Sequence, residues 1–301
     1  MPGDVGNTHI TVTEGTNAFR GEPFGVEKSS GAFHGRGALK SLYRGCYSMK
    51  RFLVIAILIA TVLTFASLLE DIQARGVLRI GQDQGYMPLY GTDEKGERVG
   101  FEVDLAKKMA EILGVKVEFV IVNWDGIIPA LISGKFDIIF SGMTITPERA
   151  LKVNFTIPYL TIGQTVLYNM KKFSSPPKYS ELKDMDKLTI SVQLGTTGEF
   201  AARRLFPNAK IITLETMDEA AFQVATGRAD IMVVDSIYAQ YMAKKYPQLA
   251  STGELLTKED LGIAVKKGDL EFLQWLNTFI RWAKTSGLVE ELKEKWGVEA
   301  E

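Results

Sequence analysis

From Ser67 onward the chain alternates short apolar runs with amphipathic stretches. VLRIG (77–81), VKVEFVIV (115–122) and FDIIF (136–140) have the length and β-branched content of buried strands. Between the first two, GFEVDLAKKMAEILG places Val103, Leu105, Ala106, Met109 and Leu113 on one helical stripe, closed by Gly114. Between the second and third, DGIIPALISG predicts a short helix with Asp125 as N-cap and Gly134 as its stop. This β-α-β-α-β order predicts a parallel sheet flanked by helices.

A second set follows. LTISVQ (188–193), KIITL (210–214) and ADIMVVD (229–235) read as strands. TTGEFAARRLF and TMDEAAFQVATG read as helices, with capping boxes at Thr196/Glu199 and Thr216/Glu219. SIYAQYMAKKY reads as a helix, and the end of the chain as two amphipathic helices broken near Gly287. The pattern predicts two α/β lobes, one of 67–162 plus 256–301 and one of 163–255. YLTIGQT (159–165) and ASTGELL (250–256) are the expected crossings, and two crossings make a hinge.

Upstream, MKRFLVIAILIATVLTFAS begins at Met49. Lys50 and Arg51 precede an apolar run of roughly fifteen residues, shorter than the about 20 that a spanning helix needs. Residues 49–66 are therefore expected to be a secretory signal peptide. A signal does not sit behind a Gly-rich polar stretch without periodicity. Residues 1–48 are thus expected to be a disordered preamble from a misassigned start.

Composition narrows the chemistry. The only cysteine is Cys46 and the only histidines are His9 and His34, all upstream of Phe52. The lobes therefore have no thiol nucleophile, no Ser-His triad and no His or Cys metal ligand. No metal and no cofactor are expected. The formal net charge is -1 with no basic block, which argues against nucleic-acid binding.

Ligands of open parallel sheets bind beyond the carboxyl ends of the strands. Five strand exits here end in polar or aromatic residues: Asp83 and Tyr86, Trp124, SGMT (Ser141, Gly142, Met143, Thr144), Gly195 with Thr196 and Thr197, and Asp235. Each has two readings. Arg149, in the first turn of a helix capped by Thr146 with Pro147 at N1, either pairs with a protein carboxylate or grips a ligand carboxylate with two hydrogen bonds. The Gly195–Thr197 turn either caps its helix or offers amides to an anion. No phosphate-loop or dinucleotide pattern occurs there, so a nucleotide is disfavoured. Asp235 either N-caps the following helix or accepts an ammonium. Tyr86 and Trp124 are core aromatics or pocket walls, and Asp83 stabilises a turn or receives a distal donor. In their functional readings these groups define an α-amino acid.

The motifs RGVLRIG, GFEVDLAKKMAEILG, WDGIIPALISGKFDIIFSGMTITPER, FTIPYL, QLGTTGEF and GRADIMVVD resemble those of the amino-acid-binding periplasmic proteins of ABC importers, over nearly all of 67–298. The resemblance implies a two-lobed, type II Venus-flytrap fold with two hinge crossings. It also implies a free amino acid as ligand, a membrane permease as partner, a monomeric or weakly oligomeric state and a periplasmic or cell-surface location. Arg149 would then pair with the ligand carboxylate, together with Thr144 and the backbone around Ser141 and Met143. Thr196 and Thr197 would close on the same carboxylate, and Asp235 would take the α-ammonium. Asp83, Tyr86, Trp124 and Gln193 would line the side-chain pocket, favouring a cationic or amide ligand. Cyclohexadienyl dehydratases resemble this chain in places, including GEFA and SGLVEELKEKW. Where that subfamily has an acid and a lysine, this chain has Tyr238 and Gln164, and both departures count against an enzyme.

Overall fold

The computed structural model describes residues 67–300. The signal-peptide and preamble readings of 1–66 lie outside the described residues.

Helix α1 (Leu68–Arg75) leads into β1 (Val77–Gln82), the short hairpin β2 (Gly91–Thr92) and β3 (Arg98–Val99), helix α2 (Phe101–Leu113) and β4 (Lys116–Ile121). A 3-10 turn (Trp124–Gly126) precedes α3 (Ile127–Ile132) and β5 (Ile138–Ile139). Then come α4 (Pro147–Ala150), β6 (Val153–Phe155), β7 (Leu160–Ile162), β8 (Gln164–Asn169) and α5 (Tyr179–Leu182). The next stretch holds β9 (Thr189–Gln193), α6 (Thr197–Leu205), β10 (Lys210–Leu214), α7 (Met217–Ala225), β11 (Ile231–Asp235), α8 (Ser236–Lys245) and β12 (Leu249–Ser251). The chain closes with β13 (Glu259–Leu261), β14 (Ala264–Lys266), α9 (Leu270–Thr285) and α10 (Leu288–Trp296).

Two five-stranded sheets result, ordered β4-β1-β5-β14-β6 and β10-β9-β11-β8-β12. Both follow one plan. The first three strands are parallel, with the first in sequence at the centre, and the fourth and fifth are antiparallel to their neighbours. The parallel portion is what the alternating pattern predicts; the antiparallel strands were not read from it. Each lobe's carboxyl strand ends therefore open toward one shared cleft.

The crossing between the sheets is a two-stranded ladder of β7 and β13. Gly163 sits between β7 and β8, where a Cβ would lie 2.1 Å from the Thr257 carbonyl oxygen. No side chain fits there, so the two crossing segments run in backbone contact. After the second crossing, α9 buries Phe272, Leu276, Phe279 and Ile280 in a core that includes Leu78, Ile80, Phe101 and Met109 of the first lobe. The second lobe has its own core of Leu182, Ile190, Val192, Phe206, Ile231 and Val233. Gly287 breaks the two terminal helices with a φ of 84°, as the pattern predicts.

Two capping expectations change. Asp125 caps nothing: α3 starts from Gly126 without a side-chain cap, after the 3-10 turn of Trp124–Gly126. Thr196 accepts the Glu199 N–H, but the Glu199 carboxylate takes the Gly195 N–H at 2.7 Å and bonds Arg203, so the box is only half formed. The box at Thr216 and Glu219 is complete.

Candidate functional site

The strand ends of both lobes meet at a cleft lined by Tyr86, Trp124, Ser141, Gly142, Thr144, Arg149, Gln193, Thr196, Thr197 and Asp235. Three residues expected at the site do not line it. Met143 is fully buried in the first lobe's core, and its carbonyl accepts the Gly262 N–H at 3.0 Å. Gly195 has its N–H taken by Glu199, so this amide does not face an anion. Asp83 lies behind Gln193, whose amide donates to Asp83 Oδ2 at 2.6 Å.

Arg149 rises from the short helix α4, whose Thr146 cap and Pro147 at N1 are as the sequence predicts. Its Nη1 donates to the Thr144 carbonyl at 2.8 Å and its Nη2 to the Gly195 carbonyl at 3.4 Å. The guanidinium carbon sits 5.2 Å from the centre of the Trp124 ring. Among the described residues it forms no ion pair, so the salt-bridge reading does not hold. Burial lowers its pKa from the ordinary arginine value, and Asp235 and Glu259 partly offset this. A cation held by carbonyls and an indole face retains its attraction for an anion.

Asp235 ends β11 at the mouth of α8 but does not cap that helix. Its carboxylate turns across the cleft, where Tyr86 Oη donates to Oδ2 and Gln164 Nε2 to Oδ1. These partners are neutral. Burial, with the nearby Glu259 charge, pushes its pKa up to about 7, while Tyr86, Gln164 and Arg149 pull it down.

The lobes meet through uncharged contacts around these two charges. Trp124 Nε1 donates to the Gly195 carbonyl at 3.1 Å, and the hydroxyls of Thr144 and Thr197 lie 3.3 Å apart. The first-turn amides of α6 at Thr197 and Gly198 have no intrahelical partner and bring the positive end of the helix dipole to the cleft. At the far end, Asp83 accepts from Gln84 N at 2.6 Å and from Gln193, and burial raises its pKa.

The wall behind Tyr86 is a buried polar network. Gly142 has a φ of 58°, and a Cβ there would lie 2.6 Å from the Tyr86 ring. Its N–H donates to Glu102 Oε1 at 2.9 Å, and Tyr159 donates to the same oxygen. Burial pushes Glu102 up to about 8. Ser141 Oγ accepts from Asp83 N at 3.0 Å and donates to Tyr90 at 2.8 Å. Neither Glu102 nor Tyr90 was singled out from sequence, because each sits inside an apolar stretch that reads as core.

Also missed were Gln164, Gly198, Met217, Met232, Val233 and Val234, which complete the lining. The apolar members look like any strand or helix residue. Gln164 stood out only as a departure from the dehydratase pattern; a polar residue opening an otherwise apolar strand beside a crossing glycine was the available signal.

Opposed charges on two hinged lobes, each left to neutral partners, define a two-domain ligand-binding protein. The chain belongs to the bacterial extracellular solute-binding proteins, family 3, whose model matches residues 78–299. An ancestral amino-acid-binding protein described as a precursor of cyclohexadienyl dehydratase is 48% identical, with a TM-score of 0.71. The match covers 77% of this chain and 99% of that one. A putative binding component of an ABC transporter from Wolinella succinogenes, solved with lysine, is 45% identical with a TM-score of 0.69, over 75% of this chain and 97% of that one. The cyclohexadienyl dehydratase of Pseudomonas aeruginosa is 30% identical over 258 residues, 82% of this chain and 94% of the relative.

Proposed function

We propose that this protein captures a free L-α-amino acid between its lobes and delivers it to an ABC permease outside the cytoplasmic membrane. One observation carries the reading: Arg149 on one lobe and Asp235 on the other face a common cleft with only neutral hydrogen-bond partners. A carboxylate at Arg149 and the α6 amides, with an ammonium at Asp235, would neutralise both. Closure then follows because the ligand touches both lobes and so favours the closed arrangement over the open one. A buried charge pair is tolerated only when its hydrogen bonds are filled; Tyr86 donates to Asp235, and the first-turn amides of α6 stand beside Arg149 for the carboxylate.

A cationic side chain is the favoured ligand type. Asp83 is a buried carboxylate directly behind Gln193 of the cleft wall, with neutral partners and a raised pKa, and a long cationic side chain that displaced the Gln193 amide would reach it. Tyr86 and Trp124 supply flat faces for the ligand's stem. The lysine held by the Wolinella succinogenes protein supports the same choice. The test is a thermal-shift panel of the twenty amino acids. A micromolar ligand at millimolar concentration adds about 4 kcal/mol of stability. Stabilisation by lysine or arginine is the expected result; no shift with any amino acid sinks the reading.

A second reading is a dehydratase. A buried carboxyl with a pKa of about 7 is the kind of group that serves as a general acid, and a dehydratase is among the relatives. Against it, Tyr238 donates to Asp218 and does not line the cleft, and Gln164 cannot act as a cation. Turnover of prephenate by the purified protein would favour this reading over the carrier.

A further inference from the structure

We propose that Gln164 is a ligand-contacting residue whose side-chain carbonyl oxygen accepts a hydrogen bond from the ligand's α-ammonium, beside Asp235. This deepens the amino-acid reading of the cleft and rests on it.

Gln164 opens β8, is fully buried and lines the cleft. Its Nε2 donates to Asp235 Oδ1 at 2.5 Å and to Thr197 Oγ1 at 3.2 Å. With Asp235 ionised, as it must be to hold an ammonium, those bonds fix the orientation of the amide, because a carboxylate accepts and an amide oxygen cannot donate. Oε1 is thereby turned away from Asp235, and among the described residues it has no hydrogen-bond partner. A buried acceptor in that condition calls for a donor. Gly198 flanks it: a Cβ there would come within 2.9 Å of Oε1 and 2.8 Å of the Val233 carbonyl. Only glycine at 198 leaves room beside Oε1, where any side chain would press on the oxygen.

An ammonium has three N–H donors. Asp235 supplies charge, but both its oxygens already accept a protein bond. Gln164 Oε1 adds a neutral acceptor on the same side of the cleft. The same residue also sets the polarity of Thr197. With an N–H of Gln164 on its oxygen, the Thr197 hydroxyl is left to donate toward Thr144, whose own hydroxyl donates to Glu259 at 2.9 Å. One amide therefore presents an acceptor to the amine and turns a donor toward the Arg149 end.

The test compares the full chain with its Gln164→Met variant by calorimetry. The probes are L-lysine and 6-aminohexanoate, which is lysine without its α-ammonium. If the thermal panel selects a different amino acid, the probes are that amino acid and its α-desamino analogue. Gln164→Met is expected to raise the Kd for lysine about ten-fold, as befits a hydrogen bond to a charged group, and to leave that for 6-aminohexanoate within about two-fold. Equal weakening of both ligands, or of neither, overturns the proposal. Where 6-aminohexanoate binds too weakly to fit, a crystal structure with L-lysine decides. An α-nitrogen within about 3.2 Å of Oε1 supports the proposal, and one without that contact overturns it. A wild-type chain that binds no amino acid sinks the functional reading as well; a wild-type chain that binds with an unchanged ratio in the variant sinks only the role of Gln164.

Discussion

Asp137 and Asp235 are both buried carboxylates beside a central strand, yet their surroundings differ in kind. Asp137, at the amino end of β5, accepts from Arg75 at 2.5 Å and from Arg79 at 2.8 Å, and also takes the Arg79 backbone N–H. Its charge is matched within the chain. Asp235 receives only a phenol and an amide, and its pKa rises to about 7. Arg149 is the mirror case, a cation left with two carbonyls and an indole. Burial alone does not mark a binding site; burial of a charge that the protein leaves uncompensated does.

The largest expected effect separates the two regions through their cation. Arg149→Met should weaken amino-acid binding at least about 100-fold, since it strips one partner from a buried charge pair. It should not lower the melting temperature of the protein without ligand, because no ion pair is lost. Calorimetry and a thermal melt check both halves. Asp137→Asn should do the reverse. Losing a doubly paired buried carboxylate should cost about 3 kcal/mol of folding stability, read by urea unfolding, with the ligand Kd unchanged. A fall in affinity as large as that of Arg149→Met would erase the distinction.

pH sharpens the contrast. The folded pKa of Asp235, raised to about 7, lies above its unfolded value. Its contribution to stability is therefore full at acid pH and is lost as pH rises through about 7. Ligand binding runs the other way, because the ammonium needs the ionised carboxylate. Affinity should fall as pH drops below about 7, by up to about ten-fold per unit. Asp235→Asn should bind weakly and show neither slope over that window. Calorimetry from pH 5 to 8.5 in the two proteins is the check. The smallest effect is at the stacking face: Trp124→Ala should weaken binding about ten-fold through lost contact with Arg149 and the ligand stem. A loss greater than that of Arg149→Met would put the binding energy in the aromatic wall instead of the charges.

Much of this is legible in the amino-acid sequence. Periodicity reveals the parallel strands and their helices, because each is a local pattern of buried and exposed positions. It also places Arg149 and Asp235 at strand exits. It does not reveal β6, β12, β13 and β14, each of three residues and too short to show a period. Nor does it say which way a polar side chain turns. Thr196, Glu199 and Asp235 all carry helix-start signals, yet Asp235 caps nothing and Glu199 bonds Gly195 in place of the Thr196 amide. Gln164 acquires meaning only because folding brings Asp235 and Thr197, distant in sequence, to its amide.

The central claim is that Arg149 meets the ligand's carboxylate. The most direct measurement is the calorimetric Kd of the preferred amino acid and of its methyl ester, in the wild-type chain and in Arg149→Met. The account predicts that esterification weakens binding at least about 100-fold in the wild type and by no more than about three-fold in the variant. Acid and ester losing affinity equally on removal of the guanidinium would contradict it.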